Sequence, residues 1–345
     1  KLQEIPGSII FVDEAHDSVP LKLWQITWHW IKTYAEEWGC RWILGSGSLV
    51  KYWEVPQLGI DDKNIPNIVT SEVREELQQY EAARIDYQEI KGTISVEDLI
   101  DIVQKTAGPR LVILNTVANA AVVAMSMAQK YGRDKVEHLS TALTPEDRKM
   151  ILEKVKHRLE NPKDTNWTLV ATSCIEAGVD LSFRTGFREF ASTASLLQSA
   201  GRINRHGIYT QATIWSFGLK SESRLTTNPQ NIVTSRILRK FFKKRITISP
   251  GLSTQAVKEA ICLDESVLCN IESLQIAEKN CDFPMVAEKY KIIEDDTVMA
   301  VVDKNIAEKI KNGKSDWKEL QLGGVQIRKN KAAKWKLEKI EDNLY

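Results

Sequence analysis

The chain has 345 residues, of which 43% are hydrophobic and 27% charged, and its net charge is +1. The length predicts two or three domains, because single hydrophobic cores rarely grow beyond about 250–300 residues. A net charge this small excludes a chain that is basic throughout, so any acidic partner must be met by a local patch.

No apolar run is long enough to cross a membrane and no signal peptide is visible, so we predict a protein without membrane segments. The five cysteines are scattered and form no C-x-x-C pair, which favours reduced thiols in a cytoplasmic protein over a zinc site. Because the first residue is Lys, we expect a fragment or a processed piece.

The first predicted unit is a strand, a helix and a second strand. Residues Ile9 to Val12 are apolar and mostly β-branched, which is typical of a buried parallel strand. A Trp-rich amphipathic segment at 21–38 leads to a second strand within 41–49. A polar passage rich in Pro, Gly and Asp then predicts a linker, in which residues 70–85 are expected to be helical.

A second α/β unit follows, and from about residue 222 the pattern changes to helical segments with a Lys-rich tail, which predicts an accessory domain. The elements predicted for the second unit are a strand at 110–116, a helix ending at Gly132, a short strand beginning at 136, a helix at 145–159, a strand at 165–173, a helix ending at Gly207 and a strand at 211–218.

Two carboxylates and a histidine directly follow the first strand, where ligand sites lie in α/β folds. Mg²⁺ prefers carboxylate oxygens, and hydrolysis of a terminal phosphate needs a base to orient the attacking water. We predict that Asp13 faces the Mg²⁺ of a bound ATP and that Glu14 orients the water. His16 is predicted to couple this site to the second domain, with a cap on the next helix as the alternative.

A helical projection of residues 195–207 gathers Gln198, Arg202 and Arg205 on the side opposite an apolar face. The apolar face can anchor on a sheet while the three polar side chains project together. Arginine offers a planar fork for phosphate oxygens and can neutralise charge in a transition state. We predict that these residues act on ATP; the alternative is an exposed basic helix face.

Gly178 predicts a turn before Asp180, whose carboxylate could accept a hydrogen bond from a ribose hydroxyl or from one of the arginines. Three strand ends carry hydroxyl residues that could donate to nucleic-acid phosphates. At two of them, 116 and 140–141, the residues would equally be helix caps, and at 172–173 the alternative is a plain strand–turn–strand with a capping Asp. These residues are Thr116, Ser140, Thr141, Thr172 and Ser173.

The stretch "GSGS" ends the strand that follows the carboxylates. The hydroxyls of Ser46 and Ser48, with the flexible backbone of Gly47, suit a hinge that couples the nucleotide cleft to the linker. Taken alone, the stretch would be only a turn.

The ordered set "VDEAH", "GSGS", "LVILNT", "ATSCIEAGVDL" and "QSAGRINRHG" resembles motifs II to VI of a superfamily 2 DExH helicase. Four further stretches are similar, more narrowly, to the CRISPR-associated helicase–nuclease of type I systems, and the resemblance spans about residues 5–305. These stretches are "VILNTVANAA", "HLSTALTPEDR", "REFASTASLLQSAGRINRHG" and "CDFPMVAEKYKIIEDDTVMAVV".

This resemblance implies an ATP-driven motor that moves 3′→5′ on single-stranded DNA, feeds a histidine/aspartate (HD) metal nuclease, fused or separate, and is recruited by an RNA-guided surveillance complex. Two departures stand out. Motif III is "GSGS" where many relatives carry a Ser-Ala-Thr-like triplet. The sequence also has no G-x-x-x-x-G-K-[ST] phosphate loop and no histidine/aspartate cluster. We therefore expect a C-terminal fragment that is inactive alone.

The expected fold is α/β, with tandem RecA-like helicase lobes, the first of them partial, and a mostly helical C-terminal accessory domain. The expected segments are the second half of lobe one at 1–55, an interlobe linker at 56–90, lobe two at 91–221 and the accessory region at 222–345. We also expect lobe one to be loosely held, because its sheet would lack partner strands.

Two other functions remain open at this point: a superfamily 2 helicase of another branch, acting on DNA or RNA, or a non-hydrolysing scaffold that only docks to a surveillance complex. The basic stretch at 235–245 could grip DNA phosphates or a protein partner. It could equally be a solvated helix face with its two phenylalanines packed inward.

Overall fold

The structure is a computed structural model that describes residues 2–60, 62, 65–176, 178–263, 265–292, 297–314, 316–340 and 344–345. The chain forms two compact units. Unit one comprises Lys1–Glu81, Ala191–Gln198 and Gln230–Ile293, and unit two comprises Ala82–Phe190, Ser199–Pro229 and Glu294–Tyr345.

The strands are, in chain order, β1 (Ile9–Val12), β2 (Arg41–Leu44), β3 (Ile85–Glu89), β4 (Arg110–Leu114), β5 (Val136–Leu139), β6 (Thr168–Thr172), β7 (Thr185–Glu189), β8 (Ala212–Phe217), β9 (Thr297–Val301) and β10 (Gly324–Arg328). The helices are α1 (Trp24–Glu37), α2 (Ser71–Arg84), α3 (Val96–Lys105), α4 (Val117–Tyr131), α5 (Pro145–Glu160), α6 (Thr193–Ala200), α7 (Ile232–Lys243), α8 (Leu252–Leu263), α9 (Glu265–Lys279), α10 (Phe283–Lys289), α11 (Lys304–Lys311), α12 (Trp317–Gly323) and α13 (Lys329–Lys334).

Unit one contains a two-stranded parallel sheet of β1 and β2, joined by α1. This order confirms the predicted strand, helix and strand. The prediction that β1 is buried is wrong: Ile9 is 68% exposed and Phe11 is 63% exposed. Alternate side chains of a strand point to opposite faces, and no element in the described part of unit one covers the face that carries these two residues.

The core of unit one is built from aromatic side chains of α1 and of the segment after β2. Trp24 stacks on Tyr52 with ring centroids 4.0 Å apart, and Trp28 stacks on Trp53 at 5.4 Å. Val55 is fully buried beside them. Stacked aromatic pairs of this kind add about 0.5–1.5 kcal/mol beyond the burial of their area. The segment after the "GSGS" stretch is therefore fixed firmly against α1.

Unit two is built on a six-stranded parallel sheet with the order β3-β8-β7-β4-β6-β5. Every residue of β4 and β6 is buried, as the unbroken apolar runs predict for central parallel strands. Helices α3 and α4 supply Leu99, Val103 and Val123 to the core against this sheet. The predicted α/β fold with RecA-like lobes is confirmed.

Strand β3 lies within the stretch 56–90 that the sequence predicts as a linker. It pairs in parallel with β8 along its whole length, from Ile85 opposite Ala212 to Glu89 opposite Ser216. Strand β3 is therefore part of the six-stranded sheet. The segment boundaries assigned from the sequence stay predictions.

The helix predicted to end at Gly207 is shorter than expected, because α6 ends at Ala200. The following residues run beside Phe183, whose N–H donates to the carbonyl of Arg202 at 2.9 Å and whose carbonyl accepts from the N–H of Asn204 at 2.7 Å. Asn204 has φ +47°, the left-handed region that Asn tolerates better than most residues. The backbone of the arginine segment is thus held as an added bridge on the sheet, not as a helix.

Gly186 of β7 allows this bridge to form. A Cβ at that position would lie 2.7 Å from Cγ1 of Ile203, which is fully buried. Ile203 therefore packs against the sheet, although the sequence places it on the apolar face of a longer helix.

The region after residue 222 is mostly helical, as predicted, but it also contains an antiparallel pair of strands, β9 and β10. Helices α7 to α10 belong to unit one, whereas α11 to α13 and this strand pair belong to unit two. Among the described residues, no helix combines the length and the apolarity that a membrane crossing requires.

Candidate nucleotide and nucleic-acid sites

The two carboxylates lie in a tight turn at the end of β1. Glu14 has φ +47°, and its N–H donates to Oδ1 of Asp13 at 2.9 Å. The turn is tied to the end of β2, because the N–H of Ala15 donates to the carbonyl of Gly45 at 3.0 Å. A left-handed non-glycine residue costs on the order of 1–3 kcal/mol and persists where the surroundings hold it. The strain at Glu14 marks this turn as a candidate site.

The "GSGS" stretch bonds directly to the carboxylate and to the histidine. Oγ of Ser46 donates to Oε2 of Glu14 at 3.1 Å and lies 2.6 Å from Nδ1 of His16. Oγ of Ser48 lies 3.2 Å from Nε2 of the same ring. Gly47 lies between the two serines, and a Cβ at this position would have no other atom within 4 Å.

These contacts fix the protons of a neutral His16. A serine hydroxyl has one proton, so Ser46 can donate to Glu14 only if it accepts from Nδ1–H of His16. Nε2 is then the acceptor, and the hydroxyl of Ser48 donates to it. The result is an ordered chain from Ser48 through His16 and Ser46 to Glu14, with His16 only 8% exposed. His16 thus joins the carboxylate turn to the "GSGS" stretch, and its predicted coupling to the second domain stays a prediction.

Tyr52 supports this chain through the backbone of His16, and no sequence pattern predicts this role. Its hydroxyl donates to the carbonyl of His16 at 2.9 Å while its ring stacks on Trp24. Burial, and next the negative charge of Asp17, raise the pKa of Tyr52 far above its usual range. The phenol therefore stays protonated and keeps donating to His16.

The Asp13 carboxylate fits the demands of Mg²⁺. It is exposed, and Mg²⁺ in nucleotide sites keeps several waters and uses one or two carboxylates together with phosphate oxygens. The described residues contain no group of three or more His, Cys, Asp or Glu that could form an all-protein metal cage. Cys40, Cys174, Cys262 and Cys281 are free thiols, as predicted; the side chain of Cys269 lies outside the described residues.

The two arginines of unit two have different environments, so the prediction that they project together from one helix face is wrong. Arg202 is buried, and it donates to the carbonyls of Ile175 at 3.2 Å and Glu176 at 2.6 Å. Arg205 is exposed and pairs with Asp180 at 2.8 Å. The cause is the early end of α6, which removes the helical repeat that would align both arginines with Gln198.

Asp180 thus takes the second of its two predicted partners, an arginine. Its side chain is 70% exposed and follows the turn at Gly178, which has φ +73°. An exposed pair of this kind contributes about 0–1 kcal/mol, so Arg205 can leave it at little cost when an anion arrives.

A buried network that the sequence did not predict links the Arg202 loop to the sheet. Oε1 of Glu176 forms an ion pair with Nε of Arg188 at 2.9 Å and accepts from the hydroxyl of Ser199 at 2.9 Å. Arg188 also donates to Oδ1 of Asn115 at 2.7 Å. These four residues join the ends of β4 and β7, the loop after β6 and the end of α6, so they hold the loop that Arg202 grips.

The hydroxyl residues lie together at the carboxyl ends of β4, β6 and β5, which are neighbours in the sheet. Thr141 and Ser173 are exposed, whereas Ser140 and Thr172 are buried. Ser140 bonds to Nε2 of His138 at 3.1 Å, and Thr172 donates to Sγ of Cys174 at 3.3 Å. Burial therefore argues against direct phosphate contacts from Ser140 and Thr172.

Thr116 acts as a helix cap, the alternative that the sequence left open. Its side chain accepts from the N–H of Asn119 at 3.1 Å at the start of α4, and it also receives the hydroxyl of Thr226 at 2.9 Å. Thr116 is half-buried, so part of the residue remains exposed to solvent at the carboxyl edge of the sheet.

A parallel six-stranded sheet, with a DEAH turn in one unit and an arginine loop bridged beside the sheet in the other, defines an α/β chain with a RecA-like fold. Residues 106–208 match the family described as CRISPR-associated nuclease/helicase Cas3, C-terminal. That segment is therefore similar to the C-terminal part of Cas3, and the predicted resemblance to the CRISPR-associated helicase is confirmed.

Individual relatives agree with this assignment. The CRISPR-associated nuclease/helicase Cas3 of Haloferax volcanii is 25% identical over 195 residues, which cover 55% of this chain and 19% of that protein. The structure of T. fusca Cas3 with ATP has a TM-score of 0.65 at 14% identity and covers 99% of this chain.

A second structure, titled as a CRISPR RNA-guided surveillance complex before nicking, contains a chain with a TM-score of 0.59 at 13% identity that covers 97% of this one. The present chain spans 51% and 52% of these two structures' chains. At such identities the structural likenesses show the fold.

Proposed function

We propose that this chain is part of an ATP-driven DNA helicase that translocates 3′→5′ on single-stranded DNA during CRISPR interference. The observation that carries the proposal is the hydrogen-bonded chain from Ser48 through His16 and Ser46 to Glu14. A surface carboxylate has no need of such a chain, whereas a carboxylate that must orient a water needs its oxygens held in place.

In this proposal Asp13 holds the Mg²⁺ of ATP, which neutralises charge on the phosphates, and Glu14 orients the attacking water. Ser46, Gly47 and Ser48 transmit the state of that site to the segment that follows β2. Asp13 and Glu14 are adjacent in the chain, and the left-handed backbone of Glu14 suits the two different roles proposed for their carboxylates.

The arginine loop supplies the second set of groups. We assign Arg205 as the arginine that meets the terminal phosphate, because it is the exposed one and its partner Asp180 is weakly held. Arg202 is a positioning residue that fixes the loop after β6 through the carbonyls of Ile175 and Glu176. Gln198 remains a proposed nucleotide contact from the end of α6.

For nucleic acid we propose contacts from Thr141 and Ser173, with Thr116 beside them, along the carboxyl edge of the sheet. Their hydroxyls suit phosphate oxygens, which they bind without reading sequence. The proposed partners are single-stranded DNA, an RNA-guided surveillance complex and an HD nuclease, either fused or separate, in the cytoplasm.

ATP hydrolysis by the full-length gene product, measured with and without single-stranded DNA, tests this proposal. We expect DNA to stimulate hydrolysis and Arg205→Gln to reduce the rate by about 10³-fold or more, the magnitude of losing an arginine that stabilises a phosphoryl transition state. Asp180→Asn is the matched control and should retain most of the rate. The 345-residue chain alone should not turn over ATP, because its sequence contains no phosphate loop.

The same assay separates the alternatives. Stimulation by RNA but not by DNA would favour a helicase of another superfamily 2 branch, and an absence of hydrolysis in the full-length product would favour a docking scaffold. Strand displacement on duplexes with a 3′ or a 5′ overhang gives the direction of movement, and we expect only the 3′ overhang to be used.

A further inference from the structure

The segment before and after α7 has an unusual charge distribution. Between Glu222 and Glu259 lie 36 residues without a single acidic one, although 46 of the 345 residues are Asp or Glu. The segment carries eight cations in a chain whose net charge is +1. They are Arg224, Arg236, Arg239, Lys240, Lys243, Lys244, Arg245 and Lys258.

Helix α7 and the residue that caps its C-terminus carry five of these eight cations on one face. Ile237, Leu238 and Phe241 are buried and anchor the helix in unit one. The opposite side forms a shallow groove lined only by cations, among which Arg236 and Lys243 are exposed. The residues lining the groove are Arg236, Arg239, Lys240, Lys243 and Lys244. The sequence left open whether this stretch binds a partner or is a solvated helix face with its phenylalanines packed inward. Phe241 does pack inward, and the basic face forms a separate surface.

Helix α8 contributes a carboxylate beside this groove. Lys240 pairs with Glu259 of α8 at 2.7 Å, and its hydrogen bond is the main cause of the lowered pKa of that carboxyl group. Glu259 therefore neutralises one cation of a groove that is lined by five. Such an excess of like charge repels itself along the helix and is relieved when an anion binds.

The spacing of the cations favours a linear polyanion. Arg236, Lys240 and Lys243 follow one another at helical intervals, and the first and last are about 10 Å apart along the axis. Successive phosphates of a nucleic-acid strand can meet such a row. A phenylalanine platform for stacked bases is not offered, because Phe241 is buried and Phe242 is half-buried.

We infer that the basic face of α7, defined as Arg236, Arg239, Lys240, Lys243 and Lys244, binds the phosphate backbone of nucleic acid without reading its sequence. This inference deepens the proposed function by adding a nucleic-acid contact outside both the carboxylate turn and the hydroxyl edge of the sheet. Binding measured without ATP tests it separately from hydrolysis.

The experiment measures the affinity of the 345-residue chain for fluorescein-labelled oligo(dT), a DNA duplex and oligo(U) between 0.05 and 0.5 M salt. The test variant is Arg236→Gln/Lys243→Gln/Lys244→Gln. A charge-retaining variant, Arg236→Lys/Lys243→Arg/Lys244→Arg, separates loss of charge from disturbance of the helix. The control is Lys149→Gln/Lys156→Gln/Lys163→Gln, which removes three exposed cations from α5 and the turn after it.

Three lost phosphate contacts should lower the slope of log K against log salt by about 2 for a single strand, which corresponds to about 100-fold weaker binding at 0.1 M salt. The charge-retaining variant and the control should keep the wild-type slope. Unchanged binding by the test variant, or an equal loss in the control, would overturn the inference. Loss of binding to poly-glutamate with unchanged DNA binding would overturn it too, in favour of an acidic protein partner.

Discussion

Removal of the Arg188 guanidinium should destabilise unit two strongly. The side chains of Arg188 and Glu176 are 3% and 6% exposed, and their ion pair spans 2.9 Å. In Arg188→Met the Glu176 carboxylate keeps the hydroxyl of Ser199 as a partner but loses its ion pair with Arg188. Removing one partner of a buried ion pair costs about 3–5 kcal/mol of unfolding free energy.

The double variant Glu176→Gln/Arg188→Met should cost much less than the sum of the two single variants. It removes both charges together, and replacing a whole buried pair by neutral groups of similar volume is often close to neutral. A double-mutant cycle should therefore give a coupling energy of about 2 kcal/mol or more between Glu176 and Arg188.

Native-state hydrogen exchange, read by mass spectrometry on peptides of β4, β6 and β7, is the appropriate assay. It reports the opening free energy of unit two itself, whereas a global melt of two units need not be two-state. Lys149→Gln, which removes one exposed cation from α5, is the control and should leave these amides unchanged. A loss below about 1 kcal/mol in Arg188→Met, or additive losses in the cycle, would refute the reasoning.

Two further predictions concern titratable groups. The pKa of Tyr52 is raised in the folded protein, so its stabilising effect is complete below the pKa of an unfolded tyrosine and is lost as the pH rises above that pKa. Unit one should therefore unfold in alkali, and Tyr52→Phe should reduce this sensitivity in a pH titration followed by circular dichroism. The Phe variant should also lose about 1 kcal/mol at neutral pH, because the His16 carbonyl loses its donor. Burial lowers the pKa of His138 below 6.5, so the unfolded state takes up its proton first and unit two should lose stability as the pH falls below that value. Urea midpoints at pH 5 and 7.5 should differ more for the native chain than for His138→Gln; equal differences would contradict the role of His138.

Much of the fold follows from patterns that act locally or through sheet geometry. The unbroken apolar runs of β4 and β6 predict central parallel strands, since both faces of such strands are covered. The contact between the DEAH turn and the "GSGS" stretch also follows, because β1 and β2 are adjacent and parallel and their carboxyl ends meet.

Other features depend on contacts that no spacing in the sequence encodes. The apolar residue Ile203 fits the repeat of a longer helix, but the space left by Gly186 lets it pack as a bridge beside Phe183. That change separates Arg202 from Arg205. The pairing of Glu176 with Arg188 joins two strand ends whose residues are ordinary charged side chains in the sequence.

The burial of β1 was mispredicted for a related reason. A run of apolar residues predicts a strand correctly, but whether its faces are covered depends on neighbours that the run does not specify. Exposed Ile9 and Phe11 show a strand whose composition suits a sheet wider than the two strands formed here.

The most direct test of the account is the rate of DNA-stimulated ATP hydrolysis by the full-length gene product carrying Glu14→Gln. We predict that hydrolysis is lost while ATP still binds, because the amide cannot act as the base that orients water. Asp17→Asn, an exposed carboxylate three residues along the chain, should retain the native rate. Hydrolysis by Glu14→Gln at the native rate would contradict the assignment of this turn as the catalytic site.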